Sequence, residues 1–332
     1  MSLTLFLVLM IVVVAFIFDF TNGFHDAANA VATAVATRAW SLNRALEMAA
    51  VMNFVGALIG TGVAETIGSG IVSPPQDNRG LVVVASGLLG AIIWNLITWW
   101  FGLPSSSSHA LIGGLTGAGI AASVTVHWAV IGEKVVIPMF LSPMVGFVLA
   151  YVGMKIVLKA FERATYKKTM RGFRKLQLFS SAAIALGHGL QDAQKTMGVV
   201  VLALVAGGYH EGTSIPLWVK IGAAAAISLG TYTGGMRIMK TLGRNITAVD
   251  PARGFVAESV AASVLYTTAF LWHAPISTTH TVTSAVMGVG ATKRRSAVRW
   301  GVAGNIVGGW FLTLPASAAF AMITFTILHA IM

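Results

Sequence analysis

The chain has 332 residues, 56% of them hydrophobic and only 10% charged, where soluble domains carry about 25% charged residues. That excludes a water-soluble enzyme, a secreted disulfide scaffold and a disordered chain, and the lack of cysteine excludes thiol chemistry and cysteine-ligated metal. The net charge of +11, from 22 Lys and Arg against 11 Asp and Glu, gathers between apolar runs, which marks the loops of a polytopic membrane protein and not a nucleic-acid binder.

Apolar stretches run over 1–37, 45–68, 80–103, 104–125, 135–161, 176–206, 215–239, 254–274, 275–291 and 300–332. Since about 20 residues cross the hydrocarbon, they read as ten crossings, more if the long first, sixth or tenth splits. Residues 3–18 lack the basic start of a signal peptide and run on into polar sequence, so they belong to the mature fold. The stretch 155–175 holds Lys155, Lys159, Arg163, Lys167, Lys168, Arg171, Arg174 and Lys175 against Glu162 and is expected to be cytoplasmic. Counting outward, the inside loops become 38–44 (Arg38, Arg44), 240–253 (Lys240, Arg244, Arg253) and 292–299 (Lys293, Arg294, Arg295, Arg299). Of the Lys and Arg residues, the outside loops 69–79, 126–134 and 207–214 hold only Arg79 and Lys134. Both termini fall outside, and the expected location is the cell (plasma or inner) membrane.

The halves resemble each other at a shift of about 170 residues, far too long for a solenoid. Gly23, Phe24, His25, Asp26 and Ala27 match Gly189, Leu190, Gln191, Asp192 and Ala193; Pro104, Ser106, Ser107, Ser108 and His109 match Pro275, Ser277, Thr278, Thr279 and His280. Gly117, Gly119, Trp128 and Pro143 match Gly288, Gly290, Trp300 and Pro315. With an odd number of crossings per half, the second half must enter the membrane upside down, and the nearly neutral loop 126–134 against its basic counterpart 292–299 agrees. The expected fold is an all-α polytopic membrane protein of two inverted-topology repeats of about five crossings each, 1–161 and 176–332, with discontinuous helices, joined by the basic cytoplasmic linker 162–175. That is the architecture of secondary transporters.

Asp26 and Asp192 interrupt the first and sixth crossings. A carboxylate at the centre of a spanning helix costs at least ~2.5–3.5 kcal/mol, so such a residue faces a cavity, a cation or a partner. Two at matched positions read as holders of a coupling cation, Na⁺ or H⁺, with His25, Asn29, Gln191 and Gln194 as further ligands or proton-relay groups; His25 and His188 are secondary, a lone histidine being more often a satisfied core residue. Lys195 is expected to pair with Asp192, an anion contact being the other reading. Glu258 is a third acidic candidate or an interfacial residue.

The runs Ser106, Ser107, Ser108 and Ser277, Thr278, Thr279, each after a proline, predict helices that start at membrane depth, tolerated only where backbone lines a cavity or packs in protein. Free N–H groups, a positive dipole end and hydroxyls suit an anion. Two such starts brought together by inverted symmetry would cradle a tetrahedral oxyanion; the plain alternative is that the hydroxyls merely cap helices. His109 and His280 are expected to lock those caps or touch substrate.

These motifs, from Gly23 to Thr33, from Gly189 to Gly198, and Ser277, Thr278, Thr279, His280, resemble signatures of the inorganic phosphate transporter (PiT) family across essentially the whole chain. The resemblance implies an ion-coupled phosphate symporter, a homodimer with no bound cofactor beyond its transported cation. It implies cation coordination around Asp26, Asn29 and Asp192 and phosphate binding at the two cradles. His25 and Gln191 stand where the family often has Asn, which leaves both protons and sodium open as the coupling ion, and Ser106–Ser108 with His109 reads Ser-Ser-Ser-His where many relatives have Ser-Thr-Thr-His.

The rival substrates are sulfate or a metal–phosphate complex. A membrane hydrolase built on Ser108 and His109 is disfavoured because adjacent helical residues point apart, and an open channel because two facing half-helices suggest occlusion. No HExxH, Walker A or GxSxG sequence is present, so no nucleotide drives the process. One net positive charge moved with each substrate supplies ~2.3 kcal/mol per 100 mV.

Overall fold

The computed structural model describes residues 2–234, 238–239, 241–242 and 246–331; Lys240 and Arg244 of the expected inside loop lie outside them. The helices follow the apolar runs: α1 (Leu3–Ala36), α2 (Leu42–Ile59), α3 (Gly62–Gly70), α4 (Asn78–Trp100), α5 (Ser107–Ala121), α6 (Trp128–Ala160), α7 (Tyr166–Ala206), α8 (Leu217–Thr233), α9 (Pro251–Trp272), α10 (Thr278–Ala291) and α11 (Trp300–Ile331). Six of these, α1, α2, α4, α6, α9 and α11, are long and apolar enough to cross a membrane, so the chain is a helical, multi-pass membrane protein. The long first, sixth and tenth stretches stay continuous as α1, α7 and α11, whereas the second breaks at Gly60 and Thr61 into α2 and α3.

The fourth and ninth apolar stretches build short helices. With 15 residues in α5 and 14 in α10, these helices are only about 21–22 Å long, against about 30 Å of hydrocarbon. Each starts late because the proline segment before it is extended and helix begins only after a serine cap, Ser106 or Ser277, both in the β region. Helices α4 and α5 therefore form one hairpin and α9 and α10 another. The first is clamped at its base by the antiparallel strands β1 (Val72–Ser73) and β2 (Thr125–Val126), in the register Val72↔Val126. At the base of the second, Arg299 N–H donates to Ile246 O at 2.9 Å and Thr247 Oγ1 to Ala297 O at 3.0 Å. Each hairpin leaves on the side from which it came, as the loop assignment requires.

Helix α1 shows how the hairpins approach. Near its start, Thr4 donates to Asn78 at the base of the first hairpin (3.1 Å); near its end, Thr33 donates to Glu258, close to the base of the second (2.5 Å). The hairpins thus come in from opposite ends of α1. Beside a small cluster of Val82, Val83, Ala118, Ala122, Ala321 and Phe325, the described apolar interior divides accordingly into two large cores. One core joins Val8, Ile11 and Phe18 of α1 to the first hairpin and to Met197 and Val200 of α7. The other joins Ala27, Val31, Ile184 and Ala185 to the second hairpin and to Ile306 and Trp310 of α11.

Helices α1 and α7 run through both cores, and two glycines set how closely they are held. A side chain at Gly23 would collide with the α8 backbone at Ile227 and Thr231, and one at Gly189 with the α2 backbone at Asn53. These matched positions let the helices cross at backbone contact, which fixes the depth of the aspartates three residues further on.

Candidate functional site

The two half-helix starts are built alike. Ser106 Oγ accepts from His109 N–H (3.2 Å) and Ser277 Oγ from His280 N–H (3.1 Å), so these two hydroxyls are taken up as N-caps. Of the six proposed cradle residues, Ser107, Ser108, Thr278 and Thr279 remain to face the site. The imidazoles of His109 and His280 face each other edge to face, with centroids 4.8 Å apart. The Trp310 ring stacks on His280 at 4.0 Å while its indole N–H donates to Pro104 O at 3.1 Å. The expected role of these histidines in locking their own caps is therefore replaced by a lateral lock between the hairpins. Ahead of each start the chain turns in the left-handed region, at Gly102 (φ 65°) and at His273 (φ 50°). His273 O accepts from Thr66 Oγ1 at 2.8 Å, a tertiary bond that holds a conformation side chains disfavour.

Three of the four remaining hydroxyls bond the aspartates, and the fourth, Ser108, donates to Ile276 O at 3.1 Å and accepts from Lys195, the ion-pair partner of Asp192. Ser107 donates to Asp26 Oδ2 (3.0 Å) and Thr279 to Asp26 Oδ1 (3.2 Å), so one carboxylate is held by both hairpins. Asn29 Nδ2 donates to Thr279 Oγ1 (2.8 Å). His25 Nδ1 lies 2.8 Å from Asp26 Oδ1, and its Nε2 reaches Thr98 at 3.2 Å and Ser105 at 3.4 Å. Asp192 accepts from Thr278 Oγ1 (3.2 Å), lies 2.9 Å from His188 Nε2 and is ion-paired to Lys195. The Lys195 ammonium also donates to Ser108 Oγ and, at 3.4 Å, to Ile276 O. Every one of these side chains is essentially buried.

Other sequence candidates are placed elsewhere. Gln191 turns to the second hairpin, donating to Leu265 O (3.2 Å) and Thr268 Oγ1 (2.9 Å). Gln194 Oε1 accepts from Val63 and Ala64 N–H (2.8 and 3.3 Å), satisfying the free donors at the start of α3. Glu258 sits in a separate polar cluster with Thr33, Gln177 and Ser180. Conversely, His188 enters the first rank: it lies one turn before Asp192, a spacing that puts both side chains on one helix face, and its other ring nitrogen is 3.2 Å from Asn53 Oδ1.

Ligand atoms of Asp26, His188 and Asp192 all lie within 4.8 Å of one another, a buried set that can hold a cation. A polar cavity of about 630 Å³, lined by Thr61, Glu65, Thr66, Lys134, Gln194 and His273 among others, lies between α3 and the tip of the second hairpin and reaches α7 one residue short of Lys195. Buried acids, hydroxyl donors aimed at them and two dipole-positive helix starts together make a site for an anion with its counter-cations.

Comparison with known proteins agrees with this chemistry. Residues 22–321 match the phosphate transporter family. The chain is 43% identical, over the full length of both proteins, to a probable low-affinity inorganic phosphate transporter of Bacillus subtilis (strain 168). It is 47% identical to one of Rhizobium meliloti (strain 1021) over 82% of each chain. A solved structure described as the sodium-dependent phosphate transporter superimposes with a TM-score of 0.88 at 25% identity, covering 98% of this chain and 100% of that one. This chain belongs to the phosphate transporter family and is a membrane transporter, not an enzyme.

Proposed function

We propose that the chain is a secondary symporter that imports inorganic phosphate with a monovalent cation by alternating access. The observation that carries the reading is the convergence of Ser107, Thr278 and Thr279, from hairpins entering at opposite ends of α1, on Asp26 and Asp192, with Ser108 joined to Asp192 through Lys195. When phosphate enters, the hydroxyl donors turn from the carboxylates to its oxygens. The carboxylates, freed of those bonds and now beside a dianion, bind the cation, so each guest strengthens binding of the other. Asp26 with Asn29 supplies the oxygen ligands on the first side; Asp192 carries Lys195 as a tethered positive charge on the second. The superimposable structure is that of a sodium-dependent transporter, which favours Na⁺ at Asp26 and Asp192, and the histidines beside both acids favour H⁺.

In this reading residues 1–161 and 176–332 are inverted repeats joined by a cytoplasmic linker, 162–175, in a homodimer of the plasma membrane. Matched capping at Ser106 and Ser277 and matched backbone turns at Gly102 and His273 support the repeat. The test is uptake of labelled phosphate into proteoliposomes under separately imposed Na⁺ and pH gradients, with sulfate and arsenate as competitors. Accumulation against a phosphate gradient, blocked by arsenate and not by sulfate, is expected; facilitated equilibration alone, or sulfate competition alone, overturns the reading.

A second reading, import of a neutral metal–phosphate complex, is favoured by the Asp26, His188 and Asp192 set. Two carboxylates and an imidazole suit a divalent ion better than sodium. Uptake that disappears on chelation and returns with Mg²⁺ or Mn²⁺ would select it.

A further inference from the structure

One buried carboxylate has no part in the site described. Asp19 lies on α1 two turns before Asp26, about 10 Å along the axis, on the side of the chain's N-terminus. It is fully buried, and neither carboxylate oxygen has a hydrogen-bond partner. Its polar neighbours are the Asn22 amide and the Thr196 hydroxyl of α7. Both are themselves fully buried and without partners.

The charged groups that act on Asp19 are Asp192 and Lys195, and Lys195 is already engaged by Asp192, Ser108 and Ile276 O. Facing α1 from the other helices, residues 81–100 of α4 and 221–233 of α8 contain no charged residue. His25 and His188 are turned to Asp26 and Asp192, and Glu258 meets α1 only at Thr33. A carboxylate in such a place has no counter-ion of its own, and burying a charge without one is far costlier than burying the neutral acid. The acid form can donate its O–H to Asn22 Oδ1 or Thr196 Oγ1 while its carbonyl oxygen accepts from the other residue.

Building on the symport reading, we propose that Asp19 is a proton-binding site distinct from the Asp26–Asp192 pair, and that it carries an H⁺ inward with each phosphate. The carboxylate takes up a proton while the site is open to the face where α1 begins. It crosses as the neutral acid and returns the proton when the opposite face opens. The bond formed and broken is the same O–H bond, with no other reactant consumed. Asn22 and Thr196 hold the acid form in place.

The test compares two assays on the full-length chain in proteoliposomes: phosphate–phosphate exchange without gradients, and net uptake driven by a pH gradient. A one-unit gradient supports about ten-fold accumulation per coupled proton. Asp19→Asn, a near-isosteric mimic of the protonated acid, is expected to keep exchange within about two-fold of the unmodified protein. It should lose pH-driven accumulation altogether, and its exchange rate should become flat against external pH. Accumulation on a pH gradient equal to that of the unmodified protein overturns the proposal, as does loss confined to Na⁺-driven uptake, which would make Asp19 a sodium ligand. Should D19N fail to exchange, Asp19→Glu decides. Restored exchange with restored pH-driven uptake supports the proton site, and anything less overturns it. Failure of the symport reading looks different, because the unmodified protein would then accumulate no phosphate under any gradient.

Discussion

Asp26 and Asp192 hold equivalent places in the two halves, and their surroundings differ at one telling position. Three residues after Asp26 stands Asn29, a neutral amide bonded to Thr279; three residues after Asp192 stands Lys195, an ammonium bonded to Asp192 itself. The first acid is surrounded by donors that can turn away, leaving an exchangeable ligand. The second already owns a cation, coordinated by a carboxylate, a hydroxyl and a backbone carbonyl. Matched positions thus carry unequal charge, and under the proposed symport Asp26 is the freer of the two acids to exchange a cation.

Replacing the acids separately breaks this comparison most severely. Asp192→Asn strands Lys195 as a lone buried charge and should cost about 3–5 kcal/mol, seen as loss of monodisperse protein on size exclusion. Asp26→Asn removes no ion-pair partner of a lysine, and should stay folded while abolishing cation-driven uptake. The double variant Asp192→Asn with Lys195→Asn is expected to recover the folded yield; if it does not, the pairing is not what Asp192 supports.

Lys195→Asn alone comes next. It converts the second centre to the pattern of the first and should make uptake depend on one additional monovalent cation, read as a steeper dependence on Na⁺ concentration. An unchanged dependence would mean that the ammonium does not stand in for a cation. Ser107→Ala and Thr279→Val each delete one donor to Asp26, a change of about 1 kcal/mol, or about five-fold in KM for phosphate if the hydroxyls turn to substrate. The smallest effect is expected for Gln191→Met: its amide faces Leu265 and Thr268, so cation dependence should be unaltered although its neighbour Asp192 is essential.

Much of this was legible in the sequence. The proline, hydroxyl run and histidine at matched spacing marked both half-helix starts, and intramembrane cost singled out both acids. What hydropathy could not resolve was depth: α5 and α10 are as apolar as a crossing, and only their length and the extended segment before them make them arms of hairpins. Helical phase separates two of the candidates, since Gln191 is rotated about 100° from Asp192, whereas His188, a full turn away, shares its face. Asp19 lay in the middle of the first apolar run beside Phe18 and Phe20, with Ala185 at the matching place in the second half and so no paired acid to single it out. That it is buried and unpartnered depends on α7 packing across it, which no local pattern encodes.

The division of most of the interior into two large apolar cores has a mechanical consequence. The aspartates and hydroxyls occupy the seam between them, where contacts are hydrogen bonds that can be exchanged for bonds to a guest. A swivel of one oily block over the other along that seam need not expose apolar surface within either. Helices α1 and α7, threaded through both blocks, would serve as its axles, and the His109–His280–Trp310 stack as the catch that must slip.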